Sequence, residues 1–299
     1  MHRPAPLAVV ALLAVILPSA AAPASTPPKA PPKAAPKAAP KTAPKAAPKA
    51  TAASQTARKT TPKPAPKVTP KSNDETLEVR PFGTVTLYRK TPHPKNVVVF
   101  ISGDGGWNLG VVDMARELVP LDALVIGVDI RSYLKGAIPA KDCFNPGRDY
   151  ADIARAVEEK LGYPELRPAV LVGYSSGATL VYAALVQAKP HTFAGAMSLG
   201  FCPDMPINPP ICRGQGLEWD PMKKGNGINF RAFPGGLSDP WYAFQGEVDQ
   251  VCNPPATRAF VEKVPGGHIV WLPKVGHGYS VPRNWLPQFK AKFAALVAQ

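Results

Sequence analysis

Residues 173–177 read Gly-Tyr-Ser-Ser-Gly, the G-x-S-x-G pattern that exposes a serine on a sharp turn between a strand and a helix. The flanks suit such a turn. Pro168-Ala169-Val170-Leu171-Val172 reads as a buried strand leading in, and Ala178-Thr179-Leu180-Val181-Tyr182 as a helix leading out. Side chains at 173 and 177 would clash where helix and strand cross, and the helix amino terminus offers amides to a developing negative charge. Ser175 is therefore the candidate nucleophile of an acyl-transfer reaction.

A serine hydroxyl attacks only when a base takes its proton. Of the five histidines, His2 lies in the leader, His93 precedes the central strands, and His191 and His268 fall at the amino ends of strands. His277, in Val275-Gly276-His277-Gly278-Tyr279, follows the last strand and reaches the carboxyl edge where ligands gather. The acid should lie between serine and histidine in sequence. Asp249, just past the strand before last, is the choice, with Glu247 and Asp204 as alternatives. For the oxyanion, the amide of Ser176 is one expected donor. The other is the amide of Asp104, in the Ser102-Gly103-Asp104-Gly105-Gly106-Trp107 turn. No GxGxxG fingerprint or Walker motif points to nucleotide chemistry, and no cofactor is expected.

These residues need a scaffold, and the hydropathy pattern supplies one. Thr76–Phe82 and Thr84–Tyr88 around Gly83 read as a hairpin, and Val97–Ile101 as a strand buried on both faces. Strand signals at Ala123–Asp129, Ala169–Gly173, Phe193–Leu199, Trp241–Gln245 and His268–Leu272 alternate with helical ones at Val111–Val119, Tyr150–Leu161, Ala178–Ala188 and Trp285–Val297. The alternation predicts an α/β fold of the α/β-hydrolase type, a mostly parallel sheet with helices on both faces. Phe201–Pro240, rich in Gly and Pro, interrupts it after the sixth strand. This insertion is either a cap over the site or an ordered excursion stapled to the surface, with the cap favoured.

The first quarter of the chain has a different composition. A basic start, the apolar run Leu7–Leu17 and Ser19-Ala20-Ala21-Ala22 read as a cleavable signal peptide over 1–22. Eleven apolar residues fall short of the roughly 20 that span a bilayer. Residues 23–72 repeat Ala, Pro and Lys, with Lys29 to Lys49 at intervals of four, and read as an extended linker of about 3.1 Å per residue. The hydrolase domain is then 73–299. Of the net charge of +14, this linker contributes eleven and Arg3 one, leaving +2 for the domain. That division argues against a nucleic-acid groove. It leaves the tail either as a contact for an anionic membrane or envelope surface or as a solvated spacer.

Four cysteines, Cys143, Cys202, Cys212 and Cys252, suit two disulfides in an oxidising compartment. Cys202 with Cys212 and Cys143 with Cys252 is the simplest pairing, and Cys202 with Cys252 its rival. No CxxC or histidine cluster suggests a metal site.

The Ser102–Trp107 turn, Gly173–Ala178, Glu247-Val248-Asp249-Gln250-Val251-Cys252 and Gly276-His277 together resemble the VirJ/AcvB family of bacterial periplasmic proteins, over roughly residues 75–299. The resemblance implies a serine esterase that removes the lysyl group from lysyl-phosphatidylglycerol, with Ser175, Asp249 and His277 as nucleophile, acid and base. It also implies an association with virulence and secretion, and hence envelope or secretion-system proteins as partners. An aminoacyl lipid carries an ammonium group, for which Asp104, Asp129 and Glu218 are candidate partners. Trp107 joins Asp129 and Glu218 as a candidate substrate contact.

Overall fold

The computed structural model describes residues 74–137, 143–208 and 210–298. The expected signal peptide and linker lie outside the described residues. Eight strands form one sheet: β1 (Glu75–Val79), β2 (Gly83–Tyr88), β3 (Asn96–Ile101), β4 (Ala123–Val128), β5 (Ala169–Tyr174), β6 (Phe193–Leu199), and, after the insertion, β10 (Trp241–Gly246) and β11 (Gly267–Leu272). Their order is β1-β2-β4-β3-β5-β6-β10-β11. The two junctions among β1, β2 and β4 are antiparallel and the rest parallel.

The central strands are apolar at every position because both faces are covered. On β3, Val97, Val99 and Ile101 face one half of the core while Val98 and Phe100 face the other. The first half is closed by α2 (Ile130–Ala137), α3 (Pro146–Lys160), α4 (Ser176–Gln187) and α5 (Pro254–Val261). The second is closed by α1 (Leu109–Arg116) and α6 (Leu286–Val297). Prolines open α3 and α5, where a missing N–H costs nothing, and Asn145 and Asn253 cap them by accepting from Arg148 and Ala256. No helix among the described residues is long and apolar enough to cross a membrane.

The insertion folds into a small antiparallel sheet of β7 (Asp204–Met205), β9 (Ile228–Phe230) and β8 (Trp219–Pro221). It lies along α4 and is not placed as a cap over Ser175. Phe230 packs edge-on to Tyr182, the Phe233 amide donates to the Tyr182 hydroxyl at 3.0 Å, and Gln187 Nε2 donates to the Cys212 carbonyl at 2.6 Å. That cover explains why every residue of α4 from Gly177 to Gln187 is buried, a helix without a wet face.

The disulfides are Cys143–Cys212 and Cys202–Cys252, which corrects the simplest pairing and matches its rival. Cys212 is carried away from Cys202 because its amide donates to the Phe144 carbonyl at 2.8 Å beside the Phe144–Ile211 bridge. The two cross-links are consistent with an exported protein.

Candidate active site

The turn that carries Ser175 is built by close backbone approach. A Cβ on Gly173 would stand 2.3 Å from the Gly177 carbonyl oxygen, and one on Gly177 2.4 Å from that of Ile101. Between these glycines the chain reverses with Ser175 at φ 55° and ψ −123°, a conformation costly for any side-chain-bearing residue. The strain turns the serine out of the β5 line, where it remains half-exposed.

His277 stands beside it. Ser175 Oγ and His277 Nε2 are 2.9 Å apart, and His277 Nδ1 is 2.9 Å from Asp249 Oδ2. With a carboxylate accepting at Nδ1, the imidazole places its bare Nε2 lone pair on the serine hydroxyl. The Asp249 side chain is fully buried, that of His277 15% exposed. Burial pushes the Asp249 carboxyl up, but the His277 hydrogen bond and the Cys252 and Val251 amides outweigh it, so the net shift is downward. Those amides donate to Asp249 Oδ1 at 3.0 and 2.8 Å. The acid is thereby held ionised with both oxygens committed.

Supporting residues that sequence reading did not single out frame the base. Tyr174 donates from its hydroxyl to the His277 carbonyl, Tyr279 donates to the Phe244 carbonyl at 2.7 Å, and Gln245 Nε2 donates to the Cys252 carbonyl at 3.3 Å. Tyr174 sits inside the serine motif, but nothing local names a partner 103 residues away.

The other candidates separate. The Ser102–Trp107 turn lies against the nucleophile, a Cβ on Gly103 coming 3.0 Å from that of Ser175. Asp104 is exposed on this turn and Ser176 opens α4. Trp107 is committed to packing: its Nε1 donates to the Tyr88 hydroxyl at 3.2 Å, and its ring fills the space over Gly127. Asp129 is likewise engaged, accepting from Arg131 Nε and Nη2 at 3.1 and 2.7 Å and from the Trp107 amide at 3.2 Å. Packing engages the first and an ion pair the second. Glu218 is exposed in the insertion beside β8, away from the contacts that join Ser175, His277 and Asp249. Of the alternative acids, Glu247 accepts from the Lys274 amide and Asp204 lies in β7. His93 contacts the Leu161 carbonyl, His191 pairs with Asp239, and His268 packs on Tyr242.

Residues 95–196 match the family model described as bacterial virulence protein (VirJ). That stretch is similar to the VirJ family. The VirJ match contains the Ser102–Trp107 turn and Ser175, whereas Asp249 and His277 lie beyond it. No curated protein matches the chain. Among solved structures, Est1E from Butyrivibrio proteoclasticus is similar at 12% identity and a TM-score of 0.51, covering 76% of this chain and 99% of its own. An esterase of Pyrococcus furiosus is similar at 12% identity and 0.52, over 75% of this chain and 91% of its own. An esterase domain from Rhodothermus marinus is similar at 15% identity and 0.50, over 74% and 96%. Together with the sheet order, these likenesses establish an α/β-hydrolase fold.

Proposed function

We propose that this protein is a serine hydrolase of carboxylic esters, exported to the periplasm, whose substrate is the aminoacyl ester of lysyl-phosphatidylglycerol. The relay from Ser175 Oγ through His277 to Asp249, each step 2.9 Å, carries the reading. In this mechanism Ser175 adds to the ester carbonyl as its proton passes to His277 Nε2. The oxyanion is held by the Ser176 and Asp104 amides. Collapse returns the proton to the departing phosphatidylglycerol oxygen and leaves a lysyl-serine ester. Water, deprotonated by the same imidazole, releases lysine and restores Ser175.

Two features favour a lipid. Of the four exposed large hydrophobic side chains among the described residues, Val248 and Val251 flank the acid and Val281 follows the base, which would offer apolar contact to an acyl chain. The basic segment over 23–72 would favour an anionic bilayer. Asp104, exposed on the turn beside Ser175, is the remaining choice for the lysyl ammonium.

Asp129 is already paired with Arg131, and this favours a second reading, a carboxylesterase of broader range. Purified protein should release lysine from lysyl-phosphatidylglycerol vesicles, and Ser175→Ala should not. Turnover of p-nitrophenyl esters without lysine release would select the broader esterase, and absence of both activities would leave a non-catalytic envelope or secretion scaffold.

A further inference from the structure

Three residues where β6 leaves the sheet, Gly200-Phe201-Cys202, lie against the base and bond to neighbours of the nucleophile and the acid. A Cβ on Gly200 would lie 3.0 Å from His277 Cε1, so this backbone passes against the base. The Phe201 carbonyl accepts from Thr257 Oγ1 at 3.0 Å, on the helix that follows the acid's loop. The Cys202 carbonyl accepts from Thr179 Oγ1 at 3.0 Å, and the Thr179 amide donates to the Ser175 carbonyl at 3.2 Å. Finally, Cys202 is bonded to Cys252, whose amide holds Asp249 Oδ1. One covalent link thus joins the turn that orients the acid to a segment braced on the nucleophile's helix and lying against the base.

Besides the disulfide, that turn is held by hydrogen bonds, among them the Val248 amide to the Val275 carbonyl at 3.1 Å and Gln245 Nε2 to the Cys252 carbonyl at 3.3 Å, with little apolar packing on its outer side. Val248 and Val251 are 54% and 66% exposed, and loops with few buried apolar contacts open at low cost. The other disulfide, Cys143–Cys212, fixes the insertion to the start of α3 and bonds to none of the site residues.

We propose that Cys202–Cys252 is a positioning element of the site, so that activation of Ser175 by His277 depends on the oxidation of this one pair. A dithiol reductant would transfer two electrons and two protons to it, giving two thiols and the cyclic disulfide of the reductant. No other bond in the relay changes. Competence would then be gained only after the chain reaches an oxidising compartment. The kinetic consequence rests on the serine-hydrolase reading; the structural consequence does not.

The test compares full-length wild type with the Cys202→Ala/Cys252→Ala and Cys143→Ala/Cys212→Ala pairs. Three readouts are taken: kcat and KM on p-nitrophenyl butyrate, the rate of fluorophosphonate labelling of Ser175, and the NMR titration of His277. Losing the first pair should lower kcat about tenfold or more while KM stays within about twofold, a size typical of a displaced catalytic group. It should slow labelling in parallel and shift the His277 titration. Losing the second pair should leave all three unchanged.

If the first variant does not fold, wild type is reduced natively with graded dithiothreitol while mass spectrometry follows each pair. Activity and labelling should track Cys202–Cys252 alone and return on reoxidation. Unchanged kcat, labelling and His277 titration without Cys202–Cys252 would overturn the proposal. A wild type that cleaves no ester defeats the esterase reading separately, and labelling and His277 titration still decide this one.

Discussion

The Tyr174 hydroxyl donates to the backbone carbonyl of His277 at 3.1 Å, with the two rings 5.6 Å apart. The residue preceding the nucleophile therefore holds the loop that carries the base, and serine and histidine are registered through backbone as well as through their own contact. Replacing Tyr174 with Phe keeps the ring and removes one hydrogen bond of about 0.5–1.5 kcal/mol. Steady-state assays on a soluble ester should show kcat lowered several-fold and KM nearly unchanged. A kcat equal to wild type would mean that the contact does not steer His277.

Ser175 is held at positive φ without being glycine, a strain of about 1–3 kcal/mol. Ser175→Gly should be inactive yet melt above Ser175→Ala by a few degrees, about 2–4 °C per kcal/mol for a domain of this size. Calorimetry of the two variants checks this. Equal melting points would contradict a strained turn.

Gly177→Ala meets a backbone carbonyl at 2.4 Å, which no rotamer can relieve. Overpacking of this kind costs about 1–3 kcal/mol, and here it also pushes α4 off β3. Denaturant melts should show that loss together with little residual esterase activity. A variant with wild-type stability and turnover would refute the close crossing.

The Asp249 carboxyl is held below its usual range in the folded protein. An acid with a depressed folded value adds stability above its unfolded value, near 3.9, and loses it as pH falls through the folded value. The melting-point gap between wild type and Asp249→Asn should therefore be constant near neutrality and shrink below about pH 4. At neutral pH the same variant should lose roughly three to four orders of magnitude in kcat, because the amide favours the wrong imidazole tautomer. A gap that widens on acidification would reverse the assigned direction.

Asp104 and Asp129 make opposite predictions. Asp104→Asn should raise KM for the lysyl ester by about two- to fivefold and leave a neutral ester unaffected, as expected for loss of an exposed ammonium partner. Asp129→Asn should affect both esters equally and cost stability through the released Arg131 and Trp107 amide. Parallel kinetics on cationic and neutral substrates separate the two.

Much of this arrangement was legible in the chain because its determinants are local. Val97–Ile101 and Ala169–Gly173 are apolar enough to demand burial on both faces, and the glycines of 173–177 announce a turn. Asp249 and His277 followed from their places after successive strands. The short helix α2 was missed because Ile130–Ala137 begins one residue past an uninterrupted strand signal. Helix α5 was not read from the sequence, although Pro254-Pro255 suits a first turn. Disulfide pairing and the employment of Asp129 and Trp107 depend on partners brought near only by the completed sheet, and no spacing rule encodes them. The insertion's strands of two or three residues are too short to show alternation.

The order of the sheet has a mechanical consequence. The described chain enters at β1, the strand at one extreme, while the acid and base hang from β10 and β11 at the other. With strands about 4.8 Å apart, those extremes are separated by roughly 34 Å. Ser175 follows β5, the fifth strand in that order, so the relay runs from the middle of the sheet to residues carried by its far rim. The base therefore reaches back over three strand spacings, roughly 14 Å, as a cantilever fixed at an edge bears on the middle.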